Sequence, residues 1–425
     1  MAYWENLQSS ATNLRLFEPK QGWRAHDDVK DDQGRISAPG SHNAVEMALH
    51  GALNASNLMV LTGAGSSFCA RNVSGPTAPS MVGLWDAVEA AVTPARLAAV
   101  IAKIPSAADL KKNIEKLLTL CKLHSVLFPA GDDAAEITAF IVDAERAILQ
   151  RVDFVGQETD LASHRNFVRK LARRSVRKSR ARIFTTNYDL CFEGAAREQQ
   201  FVVTDGFSHS APQTYDRAHY TYDIVRREGE SDAPDYIENV FHLYKLHGSI
   251  DWRRKGLTIY RSKDASLGEP VLIYPRDSKY QEAFEAPYLD MMGAFQSSLR
   301  EPDTTLVVSG FGFNDDHIAR PVLAALEANM TMRLVVCDVG FLADAPLEGN
   351  EHLIPLAAPA RVSGNAFFDA FRRLAEIGDQ RITLLNGRFE DLSAALPDLV
   401  AETDRERHMD RMARLRELSV GGSGV

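Results

Sequence analysis

A short apolar run that stops abruptly in glycine constrains this chain more than any other stretch. Leu58-Met-Val-Leu-Thr62 is followed at once by Gly63-Ala64-Gly65-Ser66-Ser67. An apolar run of that length bounded by glycine reads as a buried strand feeding a tight turn. Glycine there admits positive φ and removes the Cβ that would hold a phosphate away from the backbone N–H groups. Ser66 and Ser67 add hydroxyl donors and are expected to start the next helix. The third glycine of a dinucleotide fingerprint is missing from its usual place, so the turn takes its meaning from what stands at the other strand ends.

The chain has 425 residues, 45% hydrophobic and 25% charged, which places it among globular proteins with room for two or three domain-sized units. No apolar run approaches the ~20 residues that span a bilayer. The start, Met1-Ala-Tyr-Trp-Glu-Asn6, has neither the basic flank nor the apolar core of a signal peptide, so a cytoplasmic location is expected. Cys69, Cys121, Cys191 and Cys337 form no C-x-x-C pair, which suggests neither a disulfide framework nor a cysteine zinc site. A net charge of −9 speaks against broad nucleic-acid binding.

Residues 1–40 read as an irregular N-terminal arm, yet Tyr3, Trp4, Leu14, Leu16, Phe17 and Trp23 make it too apolar for a plain tail. It is expected to pack on the body or on a neighbouring subunit. Ser41 caps a helix reaching Ala55. From Trp85 to Lys178 the spacing is helical over 87–102, 107–123, 134–151 and 160–178, an insertion between two halves of a nucleotide-binding sheet. Its last helix carries Arg165, Arg169, Lys170, Arg173, Arg174, Arg177 and Lys178 around the stripe Val168, Leu171, Ala172 and Val176. A solvated face is weighed there against a contact surface for an acidic partner or nucleic acid.

Further strands are expected at 181–185, 201–204, 241–246, 304–309, 332–337 and 381–385. Residues 257–260 and 271–274 suggest a hairpin-like excursion left through Pro275-Arg276-Asp277, and 367–375 and 404–418 read as helices. The expected division is the arm over 1–40, a Rossmann-like nucleotide-binding domain over 41–85 and 180–340, the insertion over 86–179, and a C-terminal helical and mixed extension over 341–425.

Polar residues and glycines recur at these strand ends: Gly63-Ala64-Gly65-Ser66, Thr185-Thr186-Asn187-Tyr188-Asp189, His247-Gly248, Gly310-Phe311-Gly312 and Asp338. In open α/β sheets that is the ligand edge. This order resembles the sirtuin fold family, in which a glycine turn, a T-x-N-x-D segment and an H-G dipeptide build the NAD pocket; the likeness covers roughly 55–90 and 180–340. It implies an α/β fold with a Rossmann-like parallel sheet, NAD as the molecule bound, and Gly63, Ala64, Gly65, Ser66, Thr186, Asp189, Gly310, Gly312 and Asp338 as its contacts. Cleaving nicotinamide from ribose generates an oxocarbenium-like centre, which calls for a polar group to place water or a ribose hydroxyl and for a base near neutrality. Asn187 suits the first role, because an amide donates and accepts at once, and His247 the second. Asp189 looks like the family's acceptor for the nicotinamide carboxamide, with a helix N-cap as its alternative. Asp338 stands where sirtuins usually carry asparagine; a carboxylate accepts from ribose hydroxyls and disfavours a 2′-phosphate, leaning towards NAD over NADP. Phe311 and Phe313 are expected to pack the pocket wall, and His124, His242 and His317 to be structural.

Deacetylase sirtuins have a four-cysteine zinc module and a G-I-P-D-F-R run. Neither is present, and Arg71 with Pro76-Thr77-Ala78-Pro79-Ser80-Met81 stands in place of the latter. The combination G-A-G-S-S, P-S-M-x-x-L-W, T-T-N-Y-D, K-L-H-G-S and S-G-F-G-F-N-D resembles the bacterial SIR2-like proteins of antiphage defence. That resemblance implies NAD hydrolysis under partner or assembly control, no metal, a homo-oligomer, and a HerA-type ATPase ring as the candidate partner. Deacylation, ADP-ribosyl transfer and non-catalytic sensing of NAD or ADP-ribose stay open as alternatives.

Overall fold

The apolar runs that end in glycine or a polar residue become strands of one sheet, buried on both faces as parallel strands are. In the computed structural model, which describes residues 8–75, 77–104, 110, 112–227, 235–272, 286–342 and 365–398, its strands are β1 (Arg15–Glu18), β2 (Gly22–Ala25), β3 (Asn57–Thr62), β4 (Ala181–Thr185), β5 (Val202–Thr204), β6 (Val240–Lys245), β7 (Thr304–Ser309), β8 (Arg333–Cys337) and β9 (Ile382–Asn386). They lie in the order β2-β1-β9-β8-β7-β3-β4-β6-β5. From β3 to β9 every pairing is parallel, and β1 runs antiparallel to both β2 and β9.

The topology locates the site. From β3 the chain moves outward through β4 to β5 and β6, then returns to place β7 on the other flank of β3, with Ser309 beside Thr62. The crevice above the carboxyl ends of β3 and β7 is therefore the topological switch point, where open α/β sheets take ligands.

The aromatic arm packs on its own chain. Leu14, Leu16, Phe17 and Trp23 are buried, β1 pairs with β9 near the opposite end of the sequence, and the Trp23 ring lies 5.3 Å from Phe341. Tyr3, Trp4, Pro275-Arg276-Asp277 and the helix expected over 404–418 fall outside the described residues.

Among the described residues the helices are α1 (His42–Leu53), α2 (Met81–Val92), α3 (Pro94–Lys103), α4 (Ile114–Leu127), α5 (Asp132–Val152), α6 (Ala162–Ala172), α7 (Cys191–Glu198), α8 (Tyr288–Leu299), α9 (Asp316–Ala328), α10 (Ala366–Glu376) and α11 (Phe389–Ala395), of which α2–α5 pack on one another. The helical group α2–α5, which overlaps the insertion expected over 86–179 but begins at Met81 and ends at Val152, starts where its caps dictate: Ser80 Oγ accepts from Gly83 N, Thr93 precedes Pro94 at the first position of α3, and Asn113 accepts from Lys116 N. Its core of Trp85, Val88, Leu117, Phe140 and Ile148 also takes in Ile250 and abuts Tyr188. The insertion is thereby seated on the strand ends that carry the site.

Two expectations change. The basic helix ends at Ala172 rather than Lys178, because the following turn carries Arg174 and Lys178 to backbone carbonyls at the α1–β3 junction. Arg174 Nη2 donates to Ala55 O and, at 2.9 Å, to Ser56 O, and Lys178 Nζ reaches Asn54 O. Lys170 donates to the carbonyls of Ser393 and Ala394 at 3.1 Å and to that of Leu396, satisfying orphan acceptors at the end of α11. Several of these cations are thus internal caps, while Arg173 and Arg177 stay exposed. The hairpin-like excursion, in turn, is a three-stranded antiparallel sheet with Gly248–Lys255 between Thr258–Arg261 and Glu269–Leu272. Gly248, at φ +87°, lets the Val271 carbonyl occupy the space a Cβ would need.

Candidate functional site

The glycine turn after β3 is shaped by its neighbour more than by φ. Gly63 is extended, with φ −138°, and Ala64–Ser66 form one 3-10 turn; no helix starts at Ser66, and α2 begins only at Met81. The turn after β7 presses against it. Gly65 N donates to Gly310 O at 3.0 Å. A Cβ on Gly65 would stand 2.7 Å from Gly310 Cα, one on Gly63 3.0 Å from Gly310 O, and one on Gly310, at φ +66°, would run into Ser66 N. Three glycines are thus required by the contact of two turns. The N–H groups of Gly65, Ser66 and Ser67 donate to Gly310 O, Gly63 O and Ala64 O, so these three do not form the open backbone cradle expected from the sequence. Ser66 is fully buried, and its Oγ donates to Gly63 O at 2.9 Å.

Asn187 locks this turn from β4. Its backbone N–H donates to Thr185 Oγ1 at 3.1 Å. Its Nδ2 faces Gly63 O at 2.9 Å, Ser66 Oγ at 3.1 Å and Ser67 Oγ at 2.7 Å. A carbonyl only accepts, so the Gly63 contact fixes the amide nitrogen on that side. Nδ2 is committed to the fold, and Oδ1 is the half of the amide those bonds leave over. Asp189 is similarly engaged: one oxygen accepts from Ser67 Oγ at 2.7 Å, the other from the N–H of Cys191, the first residue of α7, at 3.0 Å. Asp189 stands one residue before the N-cap, Leu190, so its bond to Cys191 is an Asx-type turn leading into α7 and not the N-cap weighed as its alternative role.

His247, 3% exposed, follows β6. Its Nε2 lies 3.3 Å from Nε2 of His317 in the first turn of α9, with the ring centroids 5.5 Å apart and 27° between the planes. Sequence reasoning assigned His317 to the structural histidines. The available signal was its place just beyond Gly310-Phe-Gly312, at the end of the strand beside β3. His242 fits the structural expectation: burial lowers it to about 4, leaving it neutral at pH 7.

A cavity of about 820 Å3 gathers these strand ends, within the range of about 300–1,000 Å3 usual for small-molecule sites. Its wall includes Gly63, Ala64, Gly65, Thr186, Asn187, Asp189, His247, Gly310, Gly312 and Asp338; Ser66 lies behind it, bonded to Asn187. Pro79, Ser80, Met81, Leu84, Glu115, Val152 and Phe154 close one side, so the insertion borders the cavity. Phe311 lines it, while Phe313 is buried against Phe371 of α10.

At the far end Asp338 Oδ1 accepts from Gly340 N at 2.7 Å. Surrounding protein desolvates this carboxyl and pushes it up to about 6 against that bond, while its cavity face stays reachable. Beside it, Gly387-Arg388-Phe389-Glu390 lead into α11, a segment the sequence did not flag. Burial raises Glu390 against the pull of Arg388, which itself pairs with Glu390 at 3.1 Å and Asp391 at 2.8 Å. Arg71, exposed on the wall, is the other arginine there.

The sheet order, the switch-point cavity and the crossed glycine turns define the class, a Rossmann-like α/β nucleotide-binding architecture. Residues 181–343 match the SIR2-like domain family, from the start of β4 to just past β8. The matched segment holds Thr186, Asn187, Asp189, His247, Gly310, Gly312 and Asp338, and the first glycine turn precedes it. SIR2-like domains bind NAD, which points to an NAD-utilising, sirtuin-fold function. No curated protein matches the chain. Among the described residues no three His, Cys, Asp or Glu converge as a metal-binding group, and no helix is long and apolar enough to cross a membrane.

Proposed function

We propose that the chain hydrolyses NAD+ to nicotinamide, ADP-ribose and a proton. The observation that carries this reading is that an asparagine with a committed Nδ2 and a histidine line one cavity, with an acidic group at its other end. Asn187 Oδ1 accepts from the attacking water or a ribose hydroxyl and fixes its direction. His247 takes the proton released as water adds. Asp338 accepts from ribose hydroxyls and repels a 2′-phosphate. Because the N–H groups of Gly65, Ser66 and Ser67 are engaged internally, Arg71 supplies cationic charge to the diphosphate. Asp189 holds Ser67 and the start of α7, and through them the shape of the nicotinamide end.

The antiphage role follows from the sequence resemblance and from the danger of the chemistry. An unrestrained cytoplasmic NAD hydrolase harms its host, so a homo-oligomer or a HerA-type ATPase ring controls it, and the insertion bordering the cavity is the element through which control acts. Incubating purified protein with NAD and separating the products tests the chemistry. Nicotinamide plus ADP-ribose is expected. Acylated ADP-ribose formed only with an acylated peptide would indicate deacylation, ADP-ribosylated protein would indicate transfer, and binding without product would leave a sensor.

A further inference from the structure

We propose that His317 is a positioning residue for His247, and that the two imidazoles act as one proton-holding unit, with His247 on the cavity wall and His317 beside it. This rests on the NAD-hydrolase reading for its catalytic consequence, though not for its structural one. The Nε2 atoms are 3.3 Å apart, and the rings are held with 27° between their planes by two different elements, the end of β6 and the first turn of α9. Such a contact has one meaning in proton terms: one Nε2 carries the hydrogen and the other presents its lone pair. His317 therefore takes part in setting which nitrogen of His247 is protonated in the resting site. In one arrangement it covers the His247 Nε2 lone pair until a substrate hydroxyl or water replaces it. In the other it accepts from His247 Nε2–H.

The pair also limits its own charge. A proton taken from water or a ribose hydroxyl converts two neutral rings into an imidazole–imidazolium pair with the hydrogen bond retained. A second proton would place two cations in contact. The unit thus accepts one proton readily and the next only at lower pH, and its titration belongs to both rings. Among the described residues, the ionisable groups near the pair include Tyr188 from the end of β4, its ring 6.5 Å from His247, Asp189 and Asp338 on the cavity wall, and Asp315 and Asp316 at the start of α9, the latter paired with Arg320 at 2.7 Å.

The test uses the full chain and three variants, His247→Ala, His317→Ala and His317→Gln. Imidazole nitrogens are followed by NMR on histidine-labelled, ligand-free protein, and NAD turnover is followed against pH. His317→Ala is expected to shift the tautomer balance and titration of His247, to lower kcat by about 10- to 100-fold with a smaller change in KM, and to move the acidic limb of the pH profile. His317→Gln, whose amide donates and accepts but takes no proton, is expected to recover part of the rate with the pH limb still displaced. Unchanged His247 resonances in His317→Ala overturn the proposal whether or not the protein turns over NAD. Unchanged kcat and pH profile in His317→Ala, with His247→Ala inactive, overturn its catalytic part and leave the hydrolase reading standing. Absence of turnover in the wild type removes that reading alone, and the NMR comparison still decides the proposal.

Discussion

Replacing Asn187 should damage stability and chemistry together, and the structure gives the size of the first effect. Its Nδ2 carries two hydrogens shared among Gly63 O, Ser66 Oγ and Ser67 Oγ, in a site where Asn187 is 8% exposed. At about 0.5–1.5 kcal/mol net for each of two such bonds, Asn187→Ala loses about 1–3 kcal/mol, a sizeable share of a typical 5–15 kcal/mol total. With a urea slope of about 2–3 kcal/mol/M, the unfolding midpoint falls by roughly 0.3–1.5 M. Asn187→Asp is the sharper perturbation. It keeps the shape but puts an oxygen where Nδ2 faces the Gly63 carbonyl at 2.9 Å, so two acceptors oppose each other and its loss at pH 7 should exceed that of the alanine variant. Urea unfolding followed by tryptophan fluorescence and circular dichroism measures both, alongside NAD turnover, which should drop by about 100-fold or more in either variant. An Asn187→Ala protein with the wild-type midpoint would refute the claim that this amide holds the glycine turn, even if it were catalytically dead.

Gly310→Ala should cost about 2–5 kcal/mol, from positive φ and a backbone collision with Ser66, whereas Gly312→Ala, whose Cβ meets only the Asn314 side-chain amide at 3.1 Å, should cost less than about 1 kcal/mol; denaturation midpoints compare them. Asp338, raised from 3.8 to about 6, binds more protons folded than unfolded between those values, so its contribution to stability is fully present below about pH 4 and is lost as pH rises through 6. Asp338→Asn should therefore gain stability relative to wild type across that window, by no more than about 3 kcal/mol, and calorimetric NAD titrations should show wild-type affinity falling below pH 6 as the carboxylate is neutralised. Lys170→Met should lose about 1–3 kcal/mol by orphaning carbonyls at the end of α11, while Arg173→Ala, on the exposed side, should stay within about 0.5 kcal/mol of wild type in the same melts.

The legible part of the molecule is what parallel strands make legible. Leu58–Thr62, Ala181–Thr185, Thr304–Ser309 and Arg333–Cys337 are buried nearly throughout and so read as continuous apolar runs, with the polar residues that follow marking the ligand edge. What stayed hidden depends on contacts between distant segments. Helical spacing carried the basic stretch past Ala172, and only the fold brings Lys170 to Ser393 and Arg174 to Ala55. The arm's strand was unreadable because its partner, β9, lies near the other end of the chain. His317 looked structural because no ligand-like spacing links it to His247, 70 residues away. The glycines were found, but for an incomplete reason: a phosphate cradle is a local idea, and the demand on Gly63, Gly65 and Gly310 is set between two turns.

That interlocking changes how damage to the site should be interpreted. Gly310 supports the turn that carries Ser66 and Ser67, both of which accept from Asn187, and Ser67 donates to Asp189, which accepts from the N–H of Cys191 at the start of α7. Each residue of this chain is buried or lines the cavity, and each acts through the next, so removing one relaxes the geometry of all of them. Activity lost on substitution at Ser67 or Asp189 then reports a displaced Asn187 as readily as a missing ligand contact. The two causes separate on coupling: a double variant of Ser67 and Asp189 should lose less stability than the sum of the two single variants, because the hydrogen bond between them is removed in both. Independent ligand contacts would instead show additive losses in NAD affinity with the denaturation midpoints unmoved.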